Sequence, residues 1–270
     1  MPDHRRLVLG IHHGATSGDL MRHAAEMAHL LGIGIFGVFV EDEALIGVAS
    51  FPFAREFRLH SHEWHALDTD SVETEFRHAA STAKRLLDTV TQGLGVRSEF
   101  QVRRGNPSGV VAALLCSSDI VVLAEPKLGS SGLTQSFLRA WQTACGSDAS
   151  VLLLPPKRMR PRGSVVALLG GERGVRTAAH IAGLAGETLV LLGSAEQLAG
   201  VTVDLPVDRV RGRVLSDLTE RALRFALPEG GERLLVLDRD GLSPEREAAV
   251  LRVAAARGTP VLLVGPGVAG

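Results

Sequence analysis

The chain has 270 residues, of which 45% are hydrophobic and 22% are charged, and its formal net charge is −1. This length suits one large or two modest domains of roughly 100–200 residues each. A nearly neutral chain offers no electrostatic reason to bind nucleic acid or an anionic membrane surface, and no apolar run approaches the roughly 20 residues that span a bilayer. Cys116 and Cys145 are not spaced as a CxxC pair, so we expect reduced thiols and a cytoplasmic location.

The first part of the chain alternates between buried strands and amphipathic helices. Continuous apolar runs rich in β-branched residues and leucine predict strands at 7–11, 33–40, 120–123 and 151–154, and a further strand is predicted at 96–102. Apolar residues at helical spacing predict helices over 17–31, 71–94, 108–116 and 133–144. Asp70 and Glu73 stand at capping-box spacing at the start of the second of these helices. This βα alternation is typical of a parallel sheet.

Residues 41–70 interrupt this alternation. The segment shows no sustained period, and it is rich in phenylalanine and histidine. We predict a long loop here, and a loop of this length inside a compact domain is usually functional or covers another part of the molecule.

The pattern restarts after a basic segment at 157–163 that contains proline and glycine and is typical of a linker. Strands are predicted at 164–169, 187–192, 201–207, 233–237 and 260–264, with helices over 175–184, 214–225 and 244–256. The last strands of the two parts nearly repeat, as SVLLLPP at 150–156 and PVLLVGP at 260–266. We therefore predict a domain at 1–156, a linker at 157–163, and a shorter second domain at 164–270 with the same order of elements.

Three stretches resemble the universal stress protein family in a tandem form that covers nearly the whole chain. They are LVLGIHHGATSGDLMRHAAEMAHLLG at the first strand and helix, VRRGNP after the third strand, and SDIVVLAEP…ASVLLLPP. The resemblance implies an α/β fold of two flavodoxin-like (Rossmann-like) five-stranded parallel sheets. It also implies a pseudo-two-fold axis, across which 151–154 and 261–264 pair antiparallel to form an intramolecular pseudo-dimer, with a homodimer as a further form.

The motif by which members of this family bind ATP is degenerate in this chain. Such members carry an acidic residue after strand one and Gly-x2-Gly-x9-Gly-Ser/Thr after strand four, where glycines let backbone amides approach the phosphates. Here His12 replaces the acidic residue. An ungapped count places four non-glycine residues at the second motif: Ala124, Lys127, Phe137 and Leu138. A shifted register brings in Gly129 and Gly132 but leaves the third glycine absent.

We therefore expect no cofactor, with ATP or AMP as the alternative. The alternative is a sensor of an adenine nucleotide or another small anion, bound where open α/β sheets bind ligands. Its residues would be Ile11, His12, His13, Gly14, Val40, Gly105, Gly129 and Gly132.

Two further sites have weaker signals. GGERG at 170–174 follows a strand and opens a helix, so it is either a tight turn or an anion site that uses Arg173 and Arg176. In the second part, Asp238 and Asp240 after strand four would repel phosphate. The histidines of the 41–70 segment fit no standard zinc-finger spacing, and we expect no metal there: His60, His62 and His65.

No nucleophilic triad, carboxylate pair or Walker motif emerges, so we do not expect an enzyme. The favoured function is a non-catalytic regulatory or stress-response protein that acts through an unknown protein partner. The contact surface would be the apolar part of the 41–70 segment, which could instead cover the pocket or fill the local core. Its residues are Leu45, Ile46, Val48, Phe51, Phe53 and Phe57.

Overall fold

A computed structural model describes residues 5–12, 18–58, 62–124, 135–156, 159–215, 217, 219–227, 231–241 and 243–267. The first part contains β1 (Arg6–His12), α1 (Gly18–Leu31), β2 (Gly34–Asp42), α2 (Glu43–Ala49), β3 (Arg55–Arg58), β4 (Glu63–Ala66), α3 (Thr69–Leu94), β5 (Ser98–Gly105), α4 (Pro107–Leu114), β6 (Ile120–Ala124), α5 (Gln135–Cys145) and β7 (Ser150–Leu154). The second part contains β8 (Ser164–Leu168), α6 (Glu172–Ala185), β9 (Leu189–Gly193), α7 (Ala195–Gly200), β10 (Val210–Val214), α8 (Glu220–Ala226), β11 (Glu232–Asp238), α9 (Pro244–Arg257) and β12 (Val261–Val264).

Ten of these strands form one sheet in the order β10-β9-β8-β11-β12-β7-β6-β1-β2-β5. Within each half the neighbouring strands run parallel, and the halves meet at the antiparallel pair β7–β12. In that pair Leu262 lies opposite Leu152. The predicted α/β fold of two five-stranded parallel sheets joined through their fifth strands is confirmed. The predicted domain limits at 156 and 164 stay a prediction.

The strands carry continuous apolar runs because helices cover both faces of the sheet. On one face, residues of β1 and β8 such as Leu9 and Val165 join a core cluster with α1, α3 and α6. On the other face, Val166 and Leu168 pack with α8 and α9, and Val8 packs near α4. Alternate residues of one strand therefore lie in different core layers.

The 41–70 segment is not a single loop, contrary to the prediction. The Asp42 carboxylate accepts a hydrogen bond from the Ala44 amide at 2.9 Å and caps α2, and β3 and β4 then form an antiparallel hairpin. Elements of seven and four residues are too short to display a period, so the sequence pattern did not reveal them.

Two other predictions are wrong in detail. The N-cap of α3 is Asp68, which accepts the Ser71 amide at 2.9 Å, and not the predicted box of Asp70 and Glu73. The third strand of the second half is β10, and not 201–207, where Val201, Val203 and Leu205 pack against the core from an irregular segment. An exposed edge strand such as β10 needs few apolar residues, so it leaves little signal in the sequence.

Candidate functional site

The carboxyl ends of β1, β2 and β5 lie side by side at one edge of the sheet. His12 pairs with Val40 between β1 and β2, and Asp42 pairs with Gly105 between β2 and β5. The structure thus brings together four predicted site residues: Ile11, His12, Val40 and Gly105. The other four lie outside the described residues: His13, Gly14, Gly129 and Gly132.

These four residues differ in what they present at the edge. The Val40 side chain is buried in the core layer with Val8, so it belongs to the core rather than to an open wall. Gly105 has φ +148°, and a Cβ at this position would lie 2.9 Å from Val110 Cγ2, so the close approach of α4 requires glycine here. Of these four residues, His12 alone is exposed.

The imidazole of His12 stands at the carboxyl end of β1. Desolvation lowers its pKa below the ordinary 6.5, and this effect outweighs the attraction of the Asp42 carboxylate, which raises the pKa. The shift favours the neutral imidazole over the imidazolium.

A cleft of about 500 Å³ opens beside His12, between α1 and α3. We call it the α1–α3 cleft. Among the described residues, its apolar lining consists of Ile11, Met21, Phe39, Ala79, Ala83 and Leu86. The described polar residues of the lining are His12, Glu75, His78 and Thr82. Apart from Ile11 and His12, sequence reasoning missed these residues, because the face that α3 turns toward β1 depends on how the helix packs.

Arg104, from the VRRGNP turn, bridges two elements at the same edge. Its guanidinium donates to Glu41 Oε2 at 3.1 Å and to Glu73 Oε1 at 2.9 Å, and these hydrogen bonds raise the pKa of Arg104. Two carboxylates thus already neutralise this cation, which reduces its attraction for a phosphate.

The GGERG turn of the second half is filled by the protein's own carboxylate. The Gly174 amide donates to Asp238 Oδ2 at 2.9 Å, and Arg173 Nε donates to Asp238 Oδ1 at 3.2 Å. A Cβ at Gly171 would lie 2.3 Å from Asp238 Oδ2, so this turn requires glycine. The turn brings Arg173 toward Asp240 as well, while Arg176 pairs with Glu172 within α6. The buried carboxylate of Asp238 occupies the place that an external anion would take at the start of α6.

Four aromatic side chains of the hairpin region are exposed, and we call them the aromatic patch. The exposed fractions are 55% for Phe51, 80% for Phe53, 41% for Phe57 and 64% for Trp64. The rings of Phe51 and Phe53 stack at a centroid distance of 6.0 Å, and those of Phe57 and Trp64 lie 5.2 Å apart. Trp64 was absent from the predicted contact set, although it lies opposite Phe57 in the β3–β4 register.

The predicted contact residues in α2 divide between the core and the surface. Leu45 and Ile46 are partly buried and pack against the main core cluster, whereas Val48 is half exposed. The start of this contact segment therefore packs into the local core, as the second alternative predicted, and its end is exposed to solvent.

The described histidines of the hairpin contact different residues. His62 has φ 56° and packs edge-on against Phe57, and His65 Nε2 lies 3.6 Å from Glu63 Oε2. His60 lies outside the described residues. Across the described ranges, no group of three or more histidine, cysteine, aspartate or glutamate side chains could hold a metal ion. None of the helices in those ranges is both long and apolar enough to cross a membrane.

No protein-family model matches this chain, and no curated protein matches it. The chain is similar in structure to a universal stress protein from Archaeoglobus fulgidus DSM 4304, with a TM-score of 0.57, 11% identity and 96% coverage of each chain. It is also similar to a protein of unknown function from Pseudomonas aeruginosa PAO1, with a TM-score of 0.54, 13% identity, and coverage of 97% of this chain and 93% of the other. At such low identity these similarities show a shared fold.

Proposed function

We propose that this chain is a non-catalytic regulatory protein of the universal stress protein type, and that its aromatic patch binds a protein partner. The observation that carries the proposal is the exposure of Phe51, Phe53, Phe57 and Trp64 on one hairpin region. Soluble proteins seldom leave large contiguous apolar patches uncovered, and aromatic residues are frequent hot spots of protein interfaces. The fold shared with a solved universal stress protein supports the family assignment.

The composition of the hairpin suits an interface. The strands that carry Phe57 and Trp64 also carry exposed charged residues, including Arg55 and Glu63, and interfaces combine apolar and charged groups in this way. A two-stranded hairpin is marginally stable by itself. Burial of its rings by a partner would stabilise it by about 1.5–3 kcal/mol for each large side chain that becomes fully covered.

Three observations support a protein without catalysis and without ATP binding in the family's usual mode. Burial raises the pKa of the Cys145 thiol to about 11, and this thiol is therefore protonated and a poor nucleophile at neutral pH. Arg104 is neutralised by Glu41 and Glu73, and Asp238 fills the turn of the second half. The free thiols Cys116 and Cys145 support our proposal of a cytoplasmic location.

The test replaces Phe53 by aspartate, with Phe225→Asp as the matched control. Phe225 is 79% exposed on α8, outside the aromatic patch, so both changes place a carboxylate at an equally exposed ring position. A photo-crosslinking residue at position 53 first identifies the partner in cells, and binding to the purified partner is then measured. We expect Phe53→Asp to weaken binding by about 10-fold to 100-fold while Phe225→Asp has little effect.

Analytical ultracentrifugation of the same variants tests whether the partner is a second copy of the chain. A concentration-dependent dimer that Phe53→Asp alone disrupts would identify a homodimer. Equal binding and equal assembly by wild type and both variants would refute the proposal.

The second candidate is a sensor of an adenine nucleotide or another small anion. The observation that favours it is the α1–α3 cleft, which opens beside His12 at the carboxyl edge of the sheet, where open α/β folds bind ligands. Mass spectrometry of the purified protein under native and then denaturing conditions tests it. A released nucleotide would support the sensor, and protein that is empty and ignores added ATP would support the partner proposal.

A further inference from the structure

We propose that the α1–α3 cleft binds a small organic amine with an apolar body, and that it does not bind a nucleotide. This inference goes beyond the sensor candidate, which would place a nucleotide or another anion in the cleft, because it assigns a cation to it. It is independent of the aromatic patch, which lies in the hairpin region.

The apolar lining sets the body of the ligand. Ile11, Met21 and Phe39 form the floor, and they are almost completely buried, so the floor offers hydrocarbon and an aromatic ring rather than polar groups. A volume of about 500 Å³ lies within the range of small-molecule sites, which are mostly apolar with a few convergent polar groups. An aromatic or branched alkyl group matches this floor.

The polar lining sets the charge of the ligand. Three exposed side chains of α3 face the cleft at helical spacing, namely Glu75, His78 and Thr82. Glu75 is the one carboxylate among the described lining residues, and no lysine or arginine occurs among them. Within the described part of the chain Glu75 forms no ion pair, so its carboxylate is available to a cation.

The same arrangement disfavours a phosphate. A triphosphate in the cleft would face Glu75 without a neutralising side chain among the described residues, and like charges at short range repel. Arg104 lies at the same sheet edge, but it is already bound to Glu41 and Glu73. A protonated amine instead gains a charge-assisted hydrogen bond to Glu75, while hydroxyl and imidazole groups at the rim can accept its remaining hydrogens.

The test compares three compounds that share a phenyl ring and differ in charge. Isothermal titration of the full chain with 2-phenylethylamine, 2-phenylethanol and 3-phenylpropionate separates the apolar from the ionic contribution. We expect saturable binding of the amine, about tenfold or more tighter than that of the acid, with the alcohol in between. AMP and ATP are titrated in parallel.

Two variants locate the site, and a third is the control. Glu75→Gln should reduce amine affinity to about that of the alcohol, and Ala79→Phe should abolish binding of all three compounds by filling the cleft. Glu196→Gln removes an exposed carboxylate on α7 and should change nothing. Thermal unfolding of each variant verifies that it is folded.

The outcomes separate the inference from the sensor candidate. Tighter binding of the acid than of the amine, or no saturable amine binding up to roughly 20 mM by folded protein, would overturn the inference. Nucleotide binding that Ala79→Phe abolishes would also overturn it, because the nucleotide would then occupy the cleft, and the sensor candidate would stand. If neither the amines nor the nucleotides bind, both fail, and the partner proposal is unaffected.

Discussion

In the first half of the sheet, a cleft remains open beside His12, whereas in the second half the Asp238 carboxylate fills the turn at the start of α6. Both halves nevertheless have the same strand topology, with the third, second, first, fourth and fifth strands adjacent in that order. Topology therefore places the carboxyl edge of the sheet but does not decide whether that edge binds anything. Individual side chains and the length of one connection decide it.

The connection between the second and third strands differs most between the halves. In the first half it carries α2, the hairpin and the 26-residue α3, which packs beside α1 and forms one wall of the cleft. In the second half it carries the six-residue α7, a short irregular stretch and one 3₁₀ turn. The second half therefore has no long helix in the position that α3 occupies.

We expect the largest effect on stability at the antiparallel pair β7–β12, which we call the joint between the halves. Leu152 and Leu262 lie opposite each other in β7 and β12, and both are completely buried. Because the joint is symmetric, we expect Leu152→Ala and Leu262→Ala each to lower the free energy of unfolding by about 2–5 kcal/mol. Guanidinium unfolding measures both values.

The control for this pair is Leu184→Ala, at a leucine that is 57% exposed on α6, and it should cost less than about 0.5 kcal/mol. A large cost at Leu152 with almost none at Leu262 would show that the two halves do not depend equally on their joint.

A smaller effect is expected from opening the turn of the second half. Asp238→Ala removes a buried carboxylate and leaves the Gly174 amide without its acceptor, so we expect a loss of about 2–3 kcal/mol of unfolding free energy. The matched variant is Asp240→Ala. Because the Asp240 side chain is mostly exposed, this change should lower the free energy of unfolding by less than about 1 kcal/mol.

The Asp238→Ala variant also tests whether the carboxylate takes the place of an external anion. If Asp238 substitutes for an external anion, inorganic phosphate should raise the thermal midpoint of Asp238→Ala but leave that of wild type and Asp240→Ala unchanged. No effect of phosphate on any of the three proteins would mean that the carboxylate only caps the helix.

Prediction from the sequence succeeded where the signal is local. The runs at 120–123 and 151–154 correspond to β6 and β7, because strands covered on both faces are apolar throughout. It failed at β3, β4 and β10, which are short or exposed and so leave no periodic pattern. The exposed state of Phe53 and the partly buried state of Leu45 could not be distinguished, because both are apolar residues in one segment without a period.

The amino-acid sequence alone predicts the α/β class and the positions of the buried strands, since both depend on residues that are neighbours in the chain. What each carboxyl edge of the sheet presents depends instead on contacts between distant residues. The Gly174–Asp238 contact joins residues 64 positions apart, and the Glu41–Arg104 contact joins residues 63 positions apart. Such contacts depend on which strand ends meet at an edge and which way a helix faces, and these follow from packing of the whole chain.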